Sequence, residues 1–93
     1  LKNPRQLYKI MEDSCVAKME RDKHKDNPLE RSFQNLFERQ FEEHVEKLKA
    51  YREWTECKSS GNTKKVLDEI ADEINFLLFQ SAKLLEIQVL KRG

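Results

Sequence analysis

The chain has 93 residues, room for one domain too small to bury enough surface for comfortable stability alone, so a homodimer or homotetramer is expected. Apolar and charged residues each make up 38%, and 18 basic against 17 acidic side chains leave a net charge of +1, which excludes a bulk electrostatic binder of nucleic-acid polymers or membrane surfaces. Two cysteines without a signal-peptide pattern read as reduced thiols of a cytoplasmic protein, and the longest apolar run, Phe76 to Phe79, is far too short to span a bilayer.

Three helices are predicted. Asn3-Pro4 is a start signal, a capping residue before a proline at the first helical position, and Leu7, Met11, Cys15 and Met19 then recur every fourth residue. The first helix is placed at about 4 to 21. The stretch from Glu20 to Asp26 has no apolar residue and leads to a second start at Asn27-Pro28, where the residue before proline is pushed out of helical geometry. The second helix, about 28 to 56, carries Leu29, Phe33, Phe37, Phe41, Val45 and Leu48 on one stripe, read as its core face. Ser59-Ser60-Gly61-Asn62-Thr63 is the turn into a third helix, about 64 to 90, with Leu67, Ile70, Ile74, Leu77, Leu78, Ser81 and Leu85 on its main face. No strand alternation competes, so the fold class is all-α, an antiparallel bundle completed by oligomerisation. The start at Leu1 and the end at Lys91-Arg92-Gly93 suggest trimmed termini.

Two acidic pairs stand out, Glu43-His44-Val45-Glu46 and Glu69-Ile70-Ala71-Asp72, each with carboxylates three residues apart on a predicted helix. Alone, either pair is an ordinary solvated face. Their company argues otherwise: Asp72 shares its sector with Phe76 and Phe79, Asn75 is one turn on, and Leu36, Ala50 and Trp54 fall near Glu43. Both helices thus look two-sided, and the side mixing carboxylates with aromatic residues suits a pocket. Crowded, partly desolvated carboxylates repel unless a proton or cation neutralises them, and Mg²⁺ would do so with oxygen ligands and retained waters that leave room for phosphate oxygens. Such a site favours phosphate-ester or phosphoanhydride chemistry.

At these residues the chain resembles the all-α nucleotide pyrophosphohydrolases of the MazG type, marked by EExxE on one helix and ExxD on a later one. Glu42-Glu43-His44-Val45-Glu46 and Glu69-Ile70-Ala71-Asp72 are similar to those motifs, and residues 47 to 68 between them fall within the family's usual range. Met19-Glu20-Arg21-Asp22-Lys23-His24-Lys25 and Asp72-Glu73-Ile74-Asn75-Phe76 resemble further segments of a bacterial and phage subgroup. The chain departs from the pattern at Lys47, where the family usually has an apolar residue, and at His44-Val45, which replaces a pair that is often Val-Gly.

The resemblance implies Mg²⁺-dependent hydrolysis, with Mn²⁺ a possible substitute, of a nucleoside triphosphate or related nucleotide to monophosphate and pyrophosphate. Glu43, Glu46, Glu69 and Asp72 would be the metal ligands, and one of them or Glu42 would orient the water. Asn75 would hydrogen-bond sugar or base, and Phe76 or Trp54 would stack on the base, although packing is the commoner role of such rings. Lys64 and Lys65 are candidates for phosphate contacts or for plain solvation. His44 either tunes the first acid pair or covers the helix, and His24 has no second histidine at zinc spacing. The alternative is a non-catalytic helical interaction module, or a relative that keeps the fold without the activity.

Overall fold

A computed structural model describes residues 3–22 and 27–92, with side chains through residue 89; the 23–26 segment, including His24, lies outside the described residues. The chain is all-helical, with no strand among the described residues: α1 (Pro4–Asp22), a single 3-10 turn (Pro28–Glu30), α2 (Phe33–Glu56) and α3 (Ser60–Arg92). No helix among them is long and apolar enough to cross a membrane.

The caps explain the boundaries. At the first start, Gln6 N donates to Asn3 Oδ1 at 3.0 Å and Asn3 N donates to Gln6 Oε1 at 3.2 Å, a reciprocal capping box followed by Pro4. The Asn27-Pro28 start behaves differently from expectation. Asn27 caps only the 3-10 turn, accepting from Leu29 N at 3.0 Å, after which Arg31 and Ser32 are extended. The long helix begins at Phe33, because Ser32 supplies a second cap to Asn35 N at 3.1 Å. Lys83 of α3 holds the break open: its Nζ donates to the carbonyls of Leu29, at 3.2 Å, and Arg31. The third helix begins at Ser60, four residues before the expected Lys64. Ser59 caps it through Asn62 N at 3.1 Å, and Gly61 sits in the first helical turn without a positive φ.

α2 packs along α3, and α1 and the 3-10 turn rest more lightly on α3. The faces that meet are not the main apolar stripes. Buried positions are Leu36 and Ala50 on α2, Ala71, Glu73, Asn75 and Gln80 on α3, and Cys15 on α1. The stripe expected as the core of the second helix faces outward instead, with Phe37 50% and Phe41 64% exposed, and so does that of the third, with Leu67, Leu77, Leu78 and Leu85 exposed. The reason is polar as much as apolar. The packed side of α3 presents small Ala71 and side chains that each find a partner: Asn75 Nδ2 donates to the Cys15 carbonyl at 3.3 Å, Gln80 Nε2 to the Leu36 carbonyl at 3.4 Å, and Glu73 accepts from α2. Cys15 and Cys57 are free thiols, the first buried and the second exposed.

Candidate functional site

The packed faces carry the acidic pairs, so pairing α2 with α3 brings Glu43 to Glu69 and Asp72. One carboxylate oxygen from each of the three lies within 4.8 Å of the others, and all three side chains are half-buried. Burial pushes the Glu43 carboxyl above its ordinary value, and the charges of Asp72 and Glu69 add to the effect against the nearby Arg39. Glu69 is raised in the same way, by burial first and then by Asp72 and Glu46. Three hard oxygen donors at this separation match what a small divalent cation accepts, and a cation among them would offset the burial and the mutual repulsion that raise both glutamates.

Of the four expected ligands, Glu46 stands apart: it is exposed and outside the convergent set, although its charge is felt at Glu43 and Glu69. Glu42 is also exposed and is paired with Arg39. Arg39 reaches Glu43 as well, at 3.6 Å, and its guanidinium lies 5.5 Å from the centre of the Phe76 ring.

Beside the acids opens a cavity of about 670 Å³ between the end of α1, the 3-10 turn and the facing parts of α2 and α3. Glu43 and Asp72 form one wall, Lys18, Arg31 and Arg39 supply positive charge, and Asn75, Phe76 and Phe79 supply amide and aromatic surface. Phe76 and Phe79 meet edge to face at 5.6 Å. The Asn75 amide is oriented by its bond to the Cys15 carbonyl, which leaves its Oδ1 buried without a partner.

Trp54, Lys64 and Lys65 are not brought to this cavity. Trp54 lies at the α2–α3 turn, where Nε1 donates to Thr63 Oγ1 at 3.0 Å and Lys58 sits 5.2 Å over its ring. Lys65 pairs with Glu53 at 2.8 Å, and Lys64 is exposed.

Two charged residues that sequence reasoning passed over belong to the site. Lys18 Nζ lies 3.1 Å from Asp72 Oδ1, with its side chain only 12% exposed. Its signal was its sector, since on α1 Lys18 falls between the directions of Leu7 and Met11, on the apolar stripe. The signal for Arg39 was its place four residues before Glu43. A third, Glu73, is a structural hub: it accepts from Gln40 at 2.9 Å, Lys47 at 2.6 Å and His44 at 3.3 Å. Lys47 and His44, both departures from the family pattern, thus meet at the same carboxylate.

No family model, curated protein or solved structure matches this chain.

Proposed function

We propose that the protein is a Mg²⁺-dependent nucleotide pyrophosphohydrolase that cleaves a nucleoside triphosphate or related nucleotide to the monophosphate and pyrophosphate. The observation that carries this reading is the convergence of Glu43, Glu69 and Asp72 at the wall of a cavity that also holds cations and phenylalanines. In this reading Mg²⁺, or Mn²⁺ in its place, is held by those three carboxylates, with Glu46 at the margin, and supplies charge stabilisation at the phosphoryl oxygens. Lys18 and Arg39 receive phosphate charge, Phe76 offers a face to the base and Asn75 a polar contact. A water oxygen attacks the α-phosphorus, the α–β anhydride bond breaks, and pyrophosphate leaves with the bonding electrons. One of these carboxylates or Glu42 would orient the water and accept its proton. The bundle and its oligomeric completion belong to the same reading, with nucleotide as the small-molecule partner.

A second reading draws on the ion pairs Lys18–Asp72 and Arg39–Glu43. In it the acids are neutralised by the protein's own cations, and the chain is a non-catalytic helical module.

Pyrophosphate release from canonical and modified nucleotides, with and without Mg²⁺, separates the two. Turnover that is lost in EDTA and in Asp72→Asn supports the first. Absence of turnover together with absence of Mg²⁺ binding by calorimetry sinks it.

A further inference from the structure

Asp72, Phe76, Phe79 and Lys83 fall on one face of α3, at steps of four, three and four. The first three line the cavity, and Lys83 continues the row beyond them. Its ammonium meets the connection between the 3-10 turn and α2 at alternate residues: it donates to the carbonyls of Leu29, at 3.2 Å, and Arg31, and lies 5.3 Å from the centre of the Phe33 ring. No helical ladder takes up those two carbonyls, because the ladder of α2 opens only with Leu36 N donating to Ser32 O at 3.0 Å. A charged donor at this point satisfies them and ties the backbone of the connection to α3.

The connection is also a wall of the cavity, lined there by Pro28 and Arg31. Arg31 is held from both sides, its carbonyl by Lys83 of α3 and its Nη1 by Asn35 Oδ1 of α2 at 3.0 Å. From within, the turn is closed by Glu30 N donating to Asn27 O at 3.0 Å and Arg31 N to Pro28 O at 3.2 Å. So short a 3-10 turn has little stability of its own, and its place depends on what it is tied to.

We propose that Lys83 is a positioning residue for nucleotide binding: it fixes the wall formed by Pro28 and Arg31 to α3, and so sets the room in which the nucleotide lies beside Phe76 and Phe79. This role rests on the nucleotide reading for its ligand, whereas the tether itself does not. Lys83 is eleven residues beyond Asp72 on α3, about 16 Å along the helix. Its loss therefore acts on the nucleotide and not on the acid cluster.

Native-state hydrogen exchange and steady-state kinetics on Lys83→Met, which keeps an apolar stem and removes the ammonium, test it. The amides of Glu30 and Arg31 are expected to exchange about tenfold faster, the loss of one charge-assisted hydrogen bond read as local opening, while those around Ala71 keep their wild-type rates. KM for the nucleotide is expected to rise several-fold, with kcat nearly unchanged and Mg²⁺ affinity by calorimetry unaltered. A lysine that merely stabilised the fold would do the reverse: exchange would quicken throughout α2 and α3, and a smaller folded fraction would lower kcat and leave KM alone. Lys83→Arg, which keeps a cation and its donors, is expected to recover most of the affinity. Should Lys83→Met unfold, the wild type still decides: with an α,β-methylene nucleoside triphosphate and Mg²⁺ bound, exchange at Glu30 and Arg31 must slow. Unchanged exchange at those amides in both experiments, or a KM that Lys83→Met leaves at the wild-type value, overturns the proposal. Absence of turnover and of analogue binding in the wild type overturns the nucleotide reading instead, and the positioning role falls with it even where Lys83→Met frees the turn.

Discussion

Lys47 Nζ lies 2.6 Å from Oε1 of Glu73, so the lysine that departs from the resembling motif's apolar position neutralises a carboxylate buried between α2 and α3. Burial alone pushes the Glu73 carboxyl up, but hydrogen bonds from Lys47, Gln40 and His44 overcome it and hold the group below its usual range. A carboxylate lowered on folding contributes stability that is present above its unfolded-state pKa and lost as pH falls through the folded one. Lys47→Met is therefore expected to cost about 2–3 kcal/mol near neutrality, the scale of a charged hydrogen bond at a largely buried acid. It should also flatten the decline in stability below the unfolded carboxylate pKa of about 4.3. Urea unfolding from neutral to acid pH, at one protein concentration, checks both.

Glu69 carries the opposite sign. Burial, Asp72 and Glu46 raise its carboxyl, so its ionisation opposes folding: the stability it allows is complete below the unfolded-state pKa and lost as pH rises through the folded one. In EDTA at neutral pH, Glu69→Gln is expected to raise Tm. In the wild type, Mg²⁺ at one hundred times its dissociation constant adds about 2.7 kcal/mol, and in Glu69→Gln that gain disappears. Thermal melts with and without Mg²⁺ give the two signs in one experiment.

Lys18 would compete for Asp72 with any cation held by the proposed triad. Its ammonium is 3.1 Å from Oδ1, so an ion bound by the triad must share or displace it. Lys18→Met is expected to tighten Mg²⁺ binding about fivefold, the equivalent of ~1 kcal/mol for one charge pair. The same change raises KM for the nucleotide, because the cavity loses a cation that would face phosphate. Calorimetry with Mg²⁺ alone and steady-state kinetics read the two effects, and a purely structural lysine would not move them in opposite directions.

The order of the helices was legible because short local chemistry marks two of their starts, Asn3-Pro4 for α1 and Ser59 for α3, whereas Asn27-Pro28 caps only the 3-10 turn and α2 starts from Ser32. The inward faces were harder to read. Periodicity weighs apolar side chains, and by that measure Phe37 and Phe41 outrank Leu36 and Ala50, yet Leu36 and Ala50 are the buried ones. What decides the inward side is local fit that no single-helix pattern contains: the small Ala71, and polar Glu73 and Gln80, whose partners come from Lys47, Gln40, His44 and the Leu36 carbonyl. The acids were visible as spacing, and three of the four converge. Lys18 and Arg39 escaped notice because a cation on a charged helix is unremarkable until its partner across the interface is known.

The two aromatic residues proposed for base stacking part company in the structure, which makes them separable by substitution. Phe76 lines the cavity beneath Arg39, whereas Trp54 is tied to Thr63 at the far turn and stacks on Tyr51 with ring centres 6.0 Å apart. Trp54→Phe keeps the ring contacts and removes one hydrogen bond, so it is expected to cost about 0.5–1.5 kcal/mol of stability and to leave KM unchanged. Phe76→Leu keeps an apolar side chain in place but removes the ring that Arg39 covers. It is expected to raise KM several-fold through lost stacking, with about 1–3 kcal/mol of stability lost to the disturbed contact with Phe79. Michaelis constants and unfolding midpoints measured on both variants would show the split; a rise in KM for Trp54→Phe alone would return the base to the far turn.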